Sequence, residues 1–436
     1  MNLNSRTISA VFLCIIGIVT FVLIVGCGQT FRPTIIPVIK PGGDPTNLGH
    51  AVVLSTNPAG NGSTMHIDTS GDTNVGIVTV GANPKFLAKG GSRALVVNGD
   101  QTVTLYVALL PTASAITTSG LLPTTSGPVA AGVGVNGNLY IANNMSNDVS
   151  VIPVVGTVAN AAVPVAPGAG PVSIAGSLST TGVGATKMYV VNNGTGDVTV
   201  FSAIDNSIIK MPPIKVVAQP IWAVMSTDTG AVYVVNQGDG TVSVIDTGID
   251  SVIATIPVGT SPNFAFFDPN LKRLYVTNTG SSMLSVIKGD TIDLAHGIVP
   301  TRIANVPLSA PAVSVVALSD GTRAYAALGG CPSGTNHMSL IGNLASCTGN
   351  RVSVIDAVAL RETKTITVGS GVVSVDAAND ASRVYAVNAN DRNVSIIRTS
   401  TDAELQRMPA PQRDLTCNTA NGPCPLQTPF MVRVFP

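Results

Sequence analysis

Short apolar segments that end in a polar residue recur along the whole chain. Seven of them close on asparagine, as in Leu139-Tyr140-Ile141-Ala142-Asn143, and these asparagines are Asn57, Asn98, Asn143, Asn192, Asn236, Asn278 and Asn388. An eighth copy ends at Leu328 and lacks the asparagine; equivalent positions lie 41 to 60 residues apart. Strand repeats with a period of about 45 residues are typical of a β-propeller, because one small sheet cannot bury both of its faces alone.

A single repeat predicts the strands of one blade. After Gly259, the sequence predicts a first strand at Phe264–Phe267, a second at Arg273–Asn278 and a third at Leu284–Ile287, with a fourth before the next repeat. Asp, Asn, Gly and Pro stand between these strands, as the turns of a hairpin meander require. The prediction is therefore an all-β fold of four-stranded antiparallel blades.

The repeats also predict the number of blades and the closure of the ring. Eight copies predict eight blades, and seven is the alternative because the copy that ends at Leu328 is degenerate. The first copy begins at its second strand, and the last residues, Thr428–Pro436, resemble the first strand of other copies. We therefore predict that the C-terminal strand pairs beside Val52–Thr56 and closes the ring.

Composition argues against several classes of function. Charged residues make up 11% of the 436 residues, and 23 basic residues balance 23 acidic ones, so there is no bulk electrostatic attraction for nucleic acid. Glutamate occurs only at Glu362 and Glu404. The histidines have no metal-ligand spacing, and no G-x-S-x-G elbow is present. The sequence predicts no catalytic residue, no metal ligand and no cofactor.

The N-terminus has the features of an export signal. An apolar run from Ile8 to Val25 ends in Ile24-Val25-Gly26-Cys27, which resembles the lipobox of bacterial lipoprotein precursors. The resemblance implies removal of residues 1–26 and lipid attachment at Cys27. The alternative is an uncleaved signal anchor, since the run is just long enough to span a bilayer. Both interpretations place the rest of the chain outside the cytoplasm; the lipoprotein would be held in the cell envelope, at the outer membrane or the cell surface.

The remaining segments complete the predicted organisation. Residues 27–49 are rich in Pro and Gly and are predicted to form an extended tether, followed by the propeller at 50–436. Pairing of neighbouring cysteines predicts disulfide bonds between Cys331 and Cys347 and between Cys417 and Cys424, which suits an oxidising compartment. The alternative is unpaired or metal-binding thiols, against which the absence of a C-x-x-C motif argues.

The repeat unit resembles a known family. Leu274-Tyr275-Val276-Thr277-Asn278 and Thr241–Asp246 are similar to the YVTN-type β-propeller repeats of bacterial and archaeal surface proteins. The resemblance covers about residues 50 to 410 and implies the propeller architecture, but that group includes lactonase-like, DNA-binding and surface-layer proteins, so fold alone does not select a function. We expect the strand-end asparagines to have a structural role, by bonding the backbone of the next turn and by tolerating left-handed backbone angles.

Three features remain as candidates for chemistry. The Asn/Asp/Gly turns, such as Asn192–Asp197, are interpreted as hairpin turns rather than calcium loops, because they lack a terminal bidentate glutamate. Trp222, on a predicted first strand near the channel, is interpreted as a packing residue, with a sugar-binding platform as the alternative. The insertion Gly329–Asn350 departs most from the repeat and is a candidate partner-binding loop. The alternative is a loop with no binding role.

Three functions follow, and the first is favoured. It is a non-enzymatic, lipid-anchored propeller that binds a protein, glycan or polymer of the envelope. The second is a lactonase-like hydrolase of a sugar lactone, which would need Arg, His and acidic residues clustered at the channel mouth, where the sequence offers no histidine near a repeat strand end. The third is a single-stranded DNA-binding propeller, which would need aromatic residues interleaved with Lys and Arg, whereas aromatic residues are only 4% of the chain.

Overall fold

The computed structural model describes most of the predicted propeller. The described residues are 49–57, 60–109, 122, 126–134, 137–153, 161–166, 168–176, 186–226, 230–289, 292–411 and 427–436. The predicted signal at 1–26, nearly all of the tether, Cys27, Cys417 and Cys424 lie outside these residues. Among the described residues, no helix is both long enough and apolar enough to cross a membrane.

The strands form eight antiparallel sheets, one per repeat, which we number as blades in chain order. The first four blades contain β1 (His50–Thr56), β2 (Asn61–Asp68), β3 (Thr73–Ala82) and β31 (Thr428–Phe435); β4 (Pro84–Gly90), β5 (Arg93–Asn98) and β6 (Val103–Val107); β7 (Pro128–Val133), β8 (Leu139–Asn143), β9 (Asp148–Ile152) and β10 (Ala161–Pro164); and β11 (Pro171–Gly176), β12 (Lys187–Asn192), β13 (Asp197–Ser202) and β14 (Ile214–Lys215).

The other four blades follow the same order of strands. They contain β15 (Pro220–Met225), β16 (Ala231–Asn236), β17 (Thr241–Asp246) and β18 (Ser251–Pro257); β19 (Pro262–Asp268), β20 (Arg273–Asn278), β21 (Met283–Lys288) and β22 (Thr301–Pro307); β23 (Ser314–Ala317), β24 (Arg323–Leu328), β25 (Arg351–Asp356) and β26 (Arg361–Thr367); and β27 (Val372–Ala377), β28 (Arg383–Asn388), β29 (Asn393–Arg398) and β30 (Ala403–Pro409). Short helical turns occur at Leu294–His296, Leu340–Asn343 and Leu344–Ser346.

The prediction of an eight-bladed ring is confirmed, and seven blades is wrong. The degenerate copy that ends at Leu328 forms a complete blade of four strands, whereas blade 2 shows three strands within the described residues. The C-terminal strand β31 pairs antiparallel with β1, with Val432 opposite Val53, so it supplies the missing inner strand of blade 1. The first strand of each blade also contacts the first strands of both neighbouring blades, which makes a continuous inner ring around a channel.

The strand-end asparagines are structural, but not for the reasons expected from the sequence. Asn192 Nδ2 donates to Asp197 Oδ1 at 2.8 Å and to Thr199 Oγ1 at 2.9 Å, so it bonds side chains five and seven residues ahead, on the facing strand. The same spacing links Asn236 to Thr241 and Ser243. Backbone acceptors occur at Asn57 and Asn278 only among the described copies. None of the seven has a positive φ, so the left-handed explanation is wrong.

The core lies between the blades. The second strands of blades 3 to 8 each carry a fully buried tyrosine three residues before the strand end, and these are Tyr140, Tyr189, Tyr233, Tyr275, Tyr325 and Tyr385. Valine, isoleucine and alanine fill the rest of each inter-blade layer. Both faces of the second and third strands are therefore covered, as at β16 and β17, whereas outer strands such as β30 are largely exposed.

Candidate functional site in the central channel

The channel is lined by equivalent positions of the eight inner strands. After the β-bulge that follows the first residue of most of these strands, one residue per blade forms what we call the upper ring: Met431, Phe86, Ala130, Ser173, Trp222, Phe264, Ser314 and Ser374 in blades 1 to 8. Two residues further along each strand lies the lower ring: Arg433, Ala88, Gly132, Ala175, Val224, Phe266, Val316 and Asp376. In the upper ring, blades 2, 5 and 6 thus supply aromatic residues, and blades 3, 4, 7 and 8 supply alanine or serine.

Trp222 is the centre of an aromatic cluster in the channel. Its ring centroid lies 5.1 Å from that of Phe264, 6.1 Å from that of Phe86 and 5.1 Å from that of His337, and its Nε1 donates to the carbonyl of Ala265 at 3.2 Å. A ring packed on three others in this way agrees with the interpretation of Trp222 as a packing residue.

The insertion of blade 7 crosses one mouth of the channel. Its residue Gly334 donates its backbone N–H to Thr279 of blade 6, and Asn336 Nδ2 donates to Gln237 of blade 5 at 2.9 Å. His337 Nε2 lies 2.9 Å from the carbonyl of Val172 in blade 4 and donates to it. With the contact of Asn390 to the Cys347 carbonyl and of Phe86 to the His337 ring, the insertion contacts blades 2, 4, 5, 6 and 8 besides its own. The sulfur atoms of Cys331 and Cys347 lie 2.02 Å apart at its base, so this predicted pair is at disulfide distance.

His337 is held in its neutral form by its surroundings. Burial lowers the pKa of its imidazole to about 4, although the hydrogen bond to Val172 favours the cation. Because Nε2 donates, Nδ1 is the acceptor nitrogen, and it is buried with no hydrogen-bond partner among the described residues. His66 is also neutral, with a pKa lowered to about 4, but it lies in blade 1, where it bonds the carbonyl of Ala108. His296 is exposed and pairs with Asp293.

Three charged side chains meet in the lower part of the channel. Lys89 Nζ donates to the carbonyl of Val434 at 2.7 Å, and Asp376 Oδ2 accepts from the backbone N–H of Val434 at 2.8 Å. Arg433 Nη1 donates to the carbonyl of Val432 at 2.8 Å. Burial lowers the pKa of both Lys89 and Arg433 and raises the pKa of Asp376, while attraction between the acid and the two bases acts in the opposite direction. The cluster carries two cations and one carboxylate.

Serine side chains of the upper ring connect one inner strand to the next. Ser173 Oγ accepts from the N–H of Ala223 at 3.2 Å, Ser314 Oγ from Val375 at 3.3 Å, and Ser374 Oγ from Val432 at 3.2 Å. In each case a serine of one blade serves a backbone amide of the following blade that points away from its own sheet. These bonds satisfy amides at the channel-facing edge of the propeller.

The described residues line three cavities in the channel, and the second shares residues with each of the other two. The upper cavity of about 50 Å³ lies under the insertion, beside Trp222, His337 and Arg433. The second, of about 180 Å³, is lined by residues 86–89 and 130–132 with Ser173, Ile174, Trp222 and Arg433. The third, of about 240 Å³, lies beside Lys89, Asp268 and Asp376. Within the described residues, no group of three or more His, Cys, Asp or Glu could hold a metal ion.

Sequence reasoning missed most of this site. It named Trp222 and the insertion, but it did not single out Lys89, Asp376 or Arg433. It found no histidine near a repeat strand end, and the histidine at the channel mouth, His337, comes from the insertion instead. Alignment of the repeats could have found two of these residues. Asp376 and Arg433 occupy the same position in their first strands, where the other blades have uncharged residues.

Comparison with known proteins supports the fold. No protein-family model matches the sequence, and no curated protein matches it either. Among solved structures, the chain is similar to the dihydro-heme d1 dehydrogenase NirN in complex with DHE, with 13% identity over 91% of this chain and 77% of that one and a TM-score of 0.65. It is also similar to a functionally unknown protein from Desulfotomaculum acetoxidans, with 10% identity over 72% of this chain and 94% of that one and a TM-score of 0.54.

The fold defines the class of protein as an eight-bladed β-propeller whose ring is closed by its C-terminal strand. The structural likenesses are at low identity and extend to the fold alone.

Proposed function

We propose that the protein is a lipid-anchored, extracytoplasmic propeller with YVTN-type repeats, and that it binds a protein or polymer of the cell envelope without catalysing a reaction. Support for the anchor comes from the lipobox-like Ile24-Val25-Gly26-Cys27 and the Pro/Gly-rich residues 27–49. Support for the repeat type comes from segments such as Leu274–Asn278, which form the second strand of a blade.

The position of the blade 7 insertion is the main support for the proposed binding function. It contacts blades 4, 5 and 6 and leaves a cavity of about 50 Å³ beneath it. At about 30 Å³ per water molecule, this volume does not admit a sugar ring. The face that carries the insertion therefore presents the loop itself to a partner, rather than an open pocket.

The outer surface of the insertion suits a neutral partner. Its exposed residues include Pro332, Ser333, Ala345, Ser346 and Thr348, and residues 329–350 contain no Asp, Glu, Lys or Arg. Recognition through such a surface depends on shape and on neutral hydrogen bonds, so binding should change little with salt concentration.

Site-specific photo-crosslinking in intact cells tests the proposal. A photoreactive residue at Ser333 or Ser346 should give one defined adduct with an envelope component, identified by mass spectrometry. The control is the same residue at Thr401, which is exposed on a hairpin at the opposite end of a blade. Cys331→Ser with Cys347→Ser should weaken the adduct. Adducts at Thr401 and none on the insertion would overturn this choice of surface.

The anchor has its own test. The wild-type protein should incorporate a labelled fatty acid and stay in the membrane fraction after a salt wash, and Cys27→Ala should lose both properties. Labelling that persists in Cys27→Ala would contradict the lipoprotein interpretation.

A lactonase-like activity is the second candidate, because Arg433, Lys89, Asp376 and His337 lie around one channel. A panel of sugar lactones should show no hydrolysis above background if the protein is a binding module. Hydrolysis that disappears in Asp376→Asn and Arg433→Gln, with the fold retained, would favour the enzyme instead.

A further inference from the structure

The cavity of about 180 Å³ is lined by two cations, Lys89 and Arg433, by Ser173 and by apolar residues. It lies between the inner strands of blades 2, 3 and 4, where the upper and lower rings carry Ala88, Ala130, Gly132 and Ser173 in place of the bulky residues of blades 5 and 6. The space exists because these side chains are small. Its volume corresponds to about six water molecules.

Two residues that line this cavity lack the serine acceptor that serves the equivalent amide in three other blades. In blades 5, 8 and 1, the amide after the upper-ring residue donates to a serine of the preceding blade. The equivalent amides in blades 3 and 4 belong to Ala131 and Ile174, and the preceding upper-ring residues are Phe86 and Ala130, which have no acceptor atom. Both Ala131 and Ile174 line the cavity.

Two cations reach the same cavity. Among the described residues, Lys89 Nζ donates one of its three N–H groups, to the carbonyl of Val434, and the five-donor Arg433 guanidinium donates to the carbonyl of Val432. Asp376 contributes a carboxylate to the cluster, but it lines the next cavity and not this one. Burial disfavours the charged forms of Lys89 and Arg433, as their lowered pKa values indicate, so an anion placed beside them would relieve that cost.

We propose that this cavity binds a small carboxylic acid in its ionised form, with the carboxylate held by Arg433, Lys89 and the amides of Ala131 and Ile174. Guanidinium and backbone N–H groups match the planar, acceptor-only carboxylate. The apolar side chains of Phe86, Ile174 and Trp222 form the remaining wall and would contact the body of the acid. This site is separate from the insertion surface, so its failure and the failure of the envelope-binding proposal can be told apart.

Ligand-observed NMR on the full chain in detergent tests the proposal, with acetate and benzoate as probes and acetamide and benzamide as their neutral counterparts. The acids should bind with dissociation constants of about a millimolar, as their size allows, and the amides should not bind. Equal binding of acids and amides, or no binding of the acids, would overturn it.

Variants locate the site. Lys89→Gln should weaken benzoate binding about tenfold, because it removes a charged donor. Ala130→Ser should also weaken benzoate binding. It gives blade 3 an upper-ring serine, as in blades 4, 7 and 8, and its hydroxyl would accept the hydrogen bond of the Ile174 amide in place of the ligand. The matched control is Lys85→Gln on the same strand, where Lys85 bonds Asn83 and does not line the cavity. If both Lys89→Gln and Ala130→Ser bind benzoate as strongly as the wild type does, the ligand lies elsewhere and the assignment is refuted.

Discussion

The hydroxyl of Tyr189 donates a 2.6 Å hydrogen bond to Oδ1 of Asp250, which belongs to the next blade. Lys187, two residues before Tyr189, donates to the other oxygen of the same carboxylate at 2.7 Å. The start of one second strand is therefore tied to the outer hairpin of the following blade. Arg323 and Tyr325 both donate to Oδ1 of Asp402, and Arg383 and Tyr385 donate to separate oxygens of Asp72. Similar clamps therefore join blades 7 to 8 and 8 to 1.

Loss of one clamp should destabilise the whole ring. Asp250→Asn keeps a residue that tolerates the observed φ of +49° but removes the charge that faces Lys187 and Tyr189. We expect a loss of about 2 kcal/mol in the free energy of unfolding, since a partly buried cation and a buried hydroxyl lose their shared partner. Urea denaturation followed by circular dichroism measures this.

The control for that change is Asp205→Asn, which alters a fully exposed aspartate in the corresponding hairpin of blade 4. It should leave the urea midpoint unchanged. If the two variants unfold at the same urea concentration, the clamp contributes nothing to stability.

A missing clamp can be built. Leu360 occupies the hairpin position of Asp72, Asp250 and Asp402, with a φ of +54°, and the Tyr275 hydroxyl of the preceding blade has no carboxylate partner among the described residues. Leu360→Asp should raise the free energy of unfolding by about 1 kcal/mol, because it relieves a leucine from a left-handed conformation and gives Arg273 and Tyr275 a carboxylate. A lower melting temperature in this variant would show that the lost apolar contacts of Leu360 outweigh the new pair.

Stability should depend on pH through the buried histidines. Burial, followed by the nearby His50, lowers the pKa of His66 to about 4 in the folded state, against 6.5 for the ordinary side chain. Between these values the unfolded chain binds a proton that the folded chain does not, so this stabilisation is complete above pH 6.5 and is lost as the pH falls towards 4. One such histidine contributes a slope of up to about 1.4 kcal/mol per pH unit.

Denaturation of His66→Gln between pH 6.5 and 5 tests this dependence. The slope of unfolding free energy against pH should be smaller than in the wild type, and His337→Gln, whose imidazole pKa is lowered to about 4 by burial, should reduce it further. His296→Gln changes an exposed side chain and serves as the control. An unchanged slope in the double variant His66→Gln/His337→Gln would refute the assignment to these two groups.

Local patterns explain how much of the fold was predictable. The predicted second strand Arg273–Asn278 is the observed β20, because turn residues bound it at both ends. The closure by β31 was predictable because its sequence repeats that of other first strands. The charged cluster was not, since Lys89 and Arg433 are brought together only when the two ends of the chain meet. Nor does any local pattern indicate that the insertion of blade 7 reaches the carbonyl of Val172 in blade 4.

Closure of the ring should be essential for folding. Phe430, Val432, Val434 and Phe435 of β31 are all at most 3% exposed, and burying four such side chains contributes about 8 kcal/mol, which is comparable to the whole stability of a typical domain. A chain that ends at Gln427 would also leave the edge of β1 unpaired. We expect it to lose its cooperative thermal transition and to associate on gel filtration, and a synthetic peptide of residues 427–436 should restore a monomer. The control chain lacks only the exposed Pro436 and should behave as the wild type. A monomeric, cooperatively unfolding chain without β31 would mean that seven blades and a partial eighth suffice.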